Sequence, residues 1–208
     1  MPEQQGHKWF AACWDWMVKN ENATIRNVRK EIAGGARGRV LEVGCGPGSN
    51  FPYYGEATGE LTATDPDPYM LERARRRLEG LERAIELRQA PAEELPFPDG
   101  SFDTVVCTSV MCTVGDPNKA LAEVRRVLRP EGEYRFFEHV RYDHAAGVFF
   151  QNVINPIWGW FGAGCQLNRD AAALIREAGF VIRELEPLRP SPFIDPTRPC
   201  IKGVANPG

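Results

Sequence analysis

A chain of 208 residues with 43% hydrophobic content is long enough to bury one large core. Its 25 basic and 28 acidic residues leave a net charge of −3, and the basic residues are spread along the chain, so nucleic acid is not the expected partner. No apolar run approaches the ~18–20 residues needed to span a bilayer, and six cysteines with no C-x-x-C pair and no secretory leader predict reduced thiols in a cytoplasmic protein, with neither a disulfide frame nor a metal site.

In chain order, Trp9, Phe10, Cys13, Trp14, Met17 and Val18, continued by Ile25, Val28 and Ile32, recur at helical spacing and predict one helix over residues 9–33. Such a stripe packs on its own sheet or covers a ligand; the other reading is a surface making weak peripheral contact with a membrane or an apolar substrate. A strand over residues 39–43 then runs into Gly44, Gly46 and Gly48. The spacing is G-x-G-x-G. A dinucleotide fingerprint would need its third glycine where Ser49 stands, and no Lys-Ser/Thr pair follows as a P-loop requires.

A helix near Pro52 and a strand over residues 61–64 follow, ending on Asp65, 19 residues after Gly46. In a doubly wound sheet that carboxylate can face the glycine turn and accept both hydroxyls of a ribose. Alternatively it caps the helix that follows, although Asp67 is also available for that. Beyond lie a charged helix (68–81), strands at 85–89 and 102–108, an amphipathic helix (118–128) stopped by Pro130, and a strand at 133–138. An aromatic segment (140–167), a helix (169–178) ended by Gly179, and two strands (181–186 and 201–205) around a proline-rich loop (187–199) complete the chain. Alternation of this kind predicts an α/β sheet in a single domain.

Four motifs in order, LEVGCGPG, TATDPDP, AEELPFPDGSFDTVV and EVRRVLRPEG, cover residues 40–137. With them the chain resembles the class I S-adenosylmethionine-dependent methyltransferases of the type 11 group, which contains the ubiquinone and menaquinone methyltransferases. The segments VVCTSVMCTV, EHV, NPIW and GCQLNR are in turn similar to the animal methyltransferase-like proteins that methylate alkyl thiols. Those relatives carry an N-terminal membrane anchor, which is not carried over to this chain.

The resemblance implies a Rossmann-like, seven-stranded, mostly parallel sheet with helices on both faces. It divides residues 1–208 into an N-terminal helical cap (1–38), the methyltransferase core and a substrate-covering insertion (140–168). It implies S-adenosyl-L-methionine as cofactor, with Gly44, Cys45 and Gly46 at the methionine moiety and Glu42 buttressing the turn or holding the amino group through water. Asp65 would hold the ribose, Pro66 would lie beside the adenine, and the Ala92 backbone N–H would meet the ring. The carboxylate that reads the adenine amino group is replaced by Pro91, which leaves Glu93 as its substitute. Thr108 would bring its backbone to the methionine end.

For the acceptor side, His139 is the leading candidate base, because it stands at the carboxyl end of a strand. Asp143 is a second candidate, or the start of the next helix, and His144 reads as a solvent or cap residue. Phe149, Phe150, Ile154, Ile157, Trp158, Trp160 and Phe161 are expected to wall an apolar chamber. Trp14, Met111, Trp158 and Asn168 are expected at the substrate. The function expected is methyl transfer to a small, fairly apolar acceptor, with a thiol favoured. An oxygen, nitrogen or ring-carbon acceptor is the rival enzyme reading, and a cofactor-binding module without catalysis is the non-enzyme reading.

Overall fold

The computed structural model describes residues 8–162, 164–188 and 199–208. Most of the expected proline-rich loop lies outside the described residues, as do the side chains of Trp160 and Phe161. Seven strands form one sheet: β1 (Gly38–Val43), β2 (Thr58–Asp65), β3 (Glu86–Gln89), β4 (Phe102–Thr108), β5 (Leu128–His139), β6 (Phe180–Leu188) and β7 (Cys200–Pro207). Their order is β3-β2-β1-β4-β5-β7-β6, and only β7 runs against its neighbours. The expected mostly parallel, Rossmann-like sheet is therefore present.

Alternate residues of the central strands feed two cores, as a two-sided sheet requires. Leu41, Val105, Cys107 and Phe136 face one layer with Leu121 and Val124 of α4 (Pro117–Val127) and Ile175 of α6 (Ala171–Glu177). Val40, Val106 and Phe137 face the other, with Val28 and Ile32 of α2 (Ala23–Gly34) and Leu71 of α3 (Pro68–Leu78). The chain leaves β1 toward β2 and β3, then returns to β4 on the other side of β1. That reversal opens a crevice at the carboxyl ends of β1 and β4, where ligands bind in such sheets.

The expected single N-terminal helix is two, α1 (Lys8–Lys19) and α2. Asn22 ends the first run by capping the second, its side chain accepting from the Ile25 N–H at 3.0 Å. The apolar stripe breaks with it: Val28 and Ile32 are buried, whereas Trp9 and Met17 are exposed. The region from residue 133 also differs, since β5 already begins at Leu128, with a register shift opposite Phe102 and Thr104. The expected aromatic segment contains one helix, α5 (Ala145–Phe161), which continues through Pro156.

Candidate active site

Where β1 ends, the chain turns through Gly44 (φ 66°) and Gly46 (φ 54°), in the left-handed region that favours glycine. A Cβ on Gly44 would lie 2.7 Å from Val110 Cγ2, so the turn packs directly on the segment after β4. The Gly46 N–H donates to Asp65 Oδ2 at 2.8 Å, and the Asp67 N–H donates to Asp65 Oδ1 at 2.9 Å. Burial pushes the Asp65 carboxyl up to about 6, although both backbone N–H groups pull it down. A carboxylate oxygen has two lone pairs, so each keeps acceptor capacity for a hydroxyl. Asp67, not Asp65, supplies the cap of α3, accepting from the Tyr69 N–H at 2.8 Å.

Glu42 lies beneath this turn, fully buried. It accepts from Asn50 Nδ2 at 2.9 Å and from the Tyr54 hydroxyl at 2.8 Å, so both oxygens brace the turn from below. Burial raises its pKa to about 7. Arg29 reaches in from α2, donating to Asn50 Oδ1 at 3.0 Å and to Thr108 Oγ1 at 3.3 Å, while its Nε pairs with Glu21 at 2.9 Å. Asn50 also donates to Thr108 Oγ1 at 3.0 Å. Sequence reasoning missed Arg29 and Asn50. The signal for Asn50 was its place just past the glycines; an arginine inside an amphipathic helix gives none.

Of the residues expected at the adenine, Ala92 is buried, and the Pro66 carbonyl accepts from Gln89 Nε2 at 3.0 Å. Glu93 has one oxygen committed to the Gly115 and Asp116 N–H groups, at 2.9 and 3.2 Å, where it orients the entry to α4. Over the turn lies α1. A Cβ on Gly46 would come within 3.8 Å of Trp14 Nε1, and Phe10 stacks on Trp14 with ring centroids 5.9 Å apart. Asp15, on the same helix, is buried and accepts from Lys19, Arg73 and Arg77 at 2.8, 3.2 and 3.0 Å, which fastens α1 to α3.

After β4, Ser109 takes φ 59°, unusual for a residue with a side chain, and its N–H donates to the Phe137 carbonyl at 2.7 Å. The Val110 N–H donates to Glu138 Oε1 at 3.0 Å. Glu138 is fully buried, its other oxygen has no partner, and burial raises its pKa to about 7. This residue too was missed, though it stands next to the candidate base.

The segment after α5 folds back onto the same turn. Arg169 donates to the Met111 and Val114 carbonyls at 2.6 and 2.8 Å, the Gln166 N–H donates to the Cys112 carbonyl at 2.7 Å, and Asn155 accepts from the Leu167 N–H at 2.8 Å. These contacts bring together three residues from distant parts of the sequence. A sulfur of Cys112, a sulfur of Cys165 and a ring nitrogen of His139 all lie within 4.8 Å of one another. His139 is half-buried, and its Nδ1, like Nε1 of neighbouring Trp158, is buried with no hydrogen-bond partner. The Cys165 thiol is held below its usual range by Cys112, against the effect of burial, with His139 and Trp158 pulling the same way.

The remaining expected residues divide. Met111 is buried in the main core, Trp158 packs on Cys112, Cys165 and Leu167, and Asn168 donates to Asn152 at 2.8 Å. Asp143 is exposed; it is His144 that caps α5, its Nδ1 accepting from the Gly147 N–H at 3.0 Å. Of the expected aromatic wall, Ile154 and Trp158 face inward, whereas Phe149 and Ile157 are exposed. No helix among the described residues is long and apolar enough to cross a membrane.

Residues 41–136 match the family model described as a methyltransferase domain. Over 189 residues the chain is 38% identical to the thiol S-methyltransferase TMT1B of Homo sapiens, covering 86% of this chain and 77% of that one. It is 44% identical over 108 residues to the phosphatidylethanolamine N-methyltransferase of Cereibacter sphaeroides, covering 51% of this chain and 53% of that one. Among solved structures, the S-adenosylmethionine dependent methyltransferase of Mesorhizobium loti superposes with a TM-score of 0.66 at 17% identity, over 90% of this chain and 99% of that one.

Proposed function

From its membership of the class I S-adenosylmethionine-dependent methyltransferases, we propose that this chain is a cytoplasmic enzyme that methylates the sulfur of a small, fairly apolar thiol. The observation that carries the choice of sulfur is the extent of the similarity to TMT1B. The family model stops at residue 136, but the 38% identity covers 86% of the chain and so takes in part of the acceptor side.

The site's chemistry fits the cofactor. The buried Asp65 carboxylate holds the ribose hydroxyls, the turn through Gly44, Cys45 and Gly46 receives the methionine end, and Pro66 and the Ala92 N–H meet the adenine. Glu93, with one oxygen already engaged, is the weaker adenine contact. Thr108, locked to Asn50 and Arg29, fixes the backbone at the end of β4. Bound there, the cofactor supplies an electrophilic methyl group on a sulfonium.

What remains for the protein is to align the acceptor, exclude water and dispose of a proton, and alignment alone can contribute as much as ~7–11 kcal/mol. A thiol with pKa near ~8.5 has a few per cent of thiolate at neutral pH, so deprotonation asks less here than for an alcohol. His139, at the end of β5, stands at the acceptor side; exposed Asp143 is the lesser candidate. Trp14, Trp158 and the described part of the segment over residues 140–168 cover the site, with Met111 behind them and Asn168 at the rim. Exposed Trp9 and Trp16 on α1 suit weak peripheral membrane contact.

The similarity to a phosphatidylethanolamine N-methyltransferase favours an amine as the second reading. The test is incubation with cofactor labelled in its methyl group and a panel of aliphatic thiols, phenols, amines and quinones. Labelled thioether is the expected product. Label in amines or phenols but never in thiols overturns the sulfur assignment, and no labelled product despite tight cofactor binding indicates a binding module instead.

A further inference from the structure

Cys112 follows β4, His139 ends β5 and Cys165 follows α5. Each comes from a different segment, and each is held by backbone contacts: Cys112 through its carbonyl to Gln166, Cys165 through its N–H to the Gly162 carbonyl at 3.0 Å, and His139 through its strand pairing with Cys200. The two sulfurs and the ring nitrogen lie within 4.8 Å of one another. Around one tetrahedral zinc, with Zn–S near ~2.3 Å and Zn–N near ~2.0–2.1 Å, such atoms would stand roughly 3.5–3.8 Å apart. The three therefore need to close by only about an ångström. His139 Nδ1 is buried without a partner, and buried polar groups are rarely left so. A shared cation would engage both sulfurs and a ring nitrogen of His139 at once.

We propose that Cys112, His139 and Cys165 bind a thiophilic divalent cation of the zinc class, and that its open fourth position receives the sulfur of the acceptor. Two cysteines and one histidine with one place left free is the donor set of a catalytic zinc site, whereas structural sites fill all four positions. The cluster stands at the carboxyl ends of β4 and β5, and Val110, two residues before Cys112, packs on Gly44. It is therefore beside the seat of the methionine moiety. A thiol entering the fourth position loses its proton to solvent and is held as thiolate, so His139 then acts as a ligand and no longer as the general base. An S–CH3 bond then forms as the sulfonium C–S bond breaks, that bond's electron pair passing to the departing sulfur. One thiol and one sulfonium give two thioethers and a proton.

The acceptor half rests on the thiol reading; the cation site does not. The full chain is purified under reducing conditions, stripped with a chelator and titrated with Co2+ as a spectroscopic probe. One Co2+ per chain is expected, with thiolate-to-metal charge transfer and the intense visible bands of tetrahedral coordination. Cys112→Ser, Cys165→Ser and His139→Ala should each bind at least about tenfold more weakly, while Cys13→Ser, at an exposed cysteine of α1 outside the cluster, binds as the parent does. Binding of S-adenosylhomocysteine by each variant shows that it is folded. No such spectrum in the parent, equal Co2+ affinity in folded Cys112 and Cys165 variants, or a Cys112–Cys165 disulfide in the reduced protein each overturns the site. Adding an aliphatic thiol to the cobalt protein should change the visible bands, and unchanged bands overturn the open position. Thiol methylation by a protein that takes up no cation would refute this site and leave the thiol reading standing.

Discussion

Gly46 and Asp65 are joined by a hydrogen bond of 2.8 Å, from the backbone N–H of the glycine to Oδ2 of the aspartate, across 19 residues of sequence. The bond ties the turn after β1 to the end of β2 and fixes the carboxylate at the rim of the crevice. Asp65→Ala should weaken S-adenosylmethionine binding about 10- to 100-fold, the worth of one charge-assisted hydrogen bond at ~1.5–3 kcal/mol. Isothermal calorimetry measures it, and unchanged affinity would remove Asp65 from the ribose.

The pH dependence of stability follows from three buried carboxyls. Asp65 is raised by burial to about 6, and Glu42 and Glu138 to about 7. Because these pKa values lie above those of the unfolded chain, the folded state binds more protons. Their contribution is full below the unfolded values, near ~4, and is lost as pH rises through 6 to 7. The melting temperature of the ligand-free protein should therefore fall between pH 5 and about 7.5. In Glu42→Gln, which keeps the shape without the charge, the decline should be shallower; an identical pH profile would contradict the assignment.

Gly44→Ala tests the close approach of the turn to β4. The new methyl group meets Val110 at 2.7 Å on a backbone with φ 66°, so a loss of about 1–3 kcal/mol of stability is expected. Cofactor affinity should fall with it. Chemical denaturation together with calorimetry separates the two effects, and a variant as stable as its parent would show that the turn has room.

Asp15 should control how firmly α1 covers the site. Burial by itself would raise its pKa, but Lys19, Arg77 and Arg73 hold it below the usual carboxylate range. Its stabilising contribution is thus complete above the unfolded pKa and is lost as pH falls through the lower, folded one. Asp15→Asn should cost roughly 1–2 kcal/mol after allowance for solvent at the arginines, and limited proteolysis should cut α1 sooner. Cleavage at the parent's rate would mean that Trp14 is held by other contacts.

His139→Ala should lower thiol turnover at least about tenfold with little change in S-adenosylhomocysteine affinity, as the role proposed for it at the acceptor requires. Loss of cofactor affinity in equal measure would place its effect at the other end of the crevice.

The elements that frame the crevice were largely legible in the sequence. They are local and strongly patterned: a β-branched strand running into three glycines, an acid at the end of the next strand, and helices with a single apolar face. Periodicity fails at the N-terminus, where Asn22 starts a second helix within one continuous stripe, because a side-chain cap overrides an apolar pattern. Glu42 could be read as a brace or an amino-group ligand, and only the fold shows that its oxygens accept from Asn50 and Tyr54. Arg29 gave no signal, since a buried arginine in an amphipathic helix looks like a solvent-facing one until its partners are known.

By itself, the sequence determined the α/β sheet and the family, since these rest on short-range periodicity and on motifs whose residues lie close together. Only the tertiary structure decided that Asp65 meets Gly46, that Asn50 and Arg29 lock Thr108, and that Cys112, His139 and Cys165 converge. The physical reason is that spacing along a chain constrains neighbours within a helix or strand. Which strand ends and loops share a crevice is set by sheet order and by the long-range bonds of Arg169 and Gln166, and no local pattern encodes those.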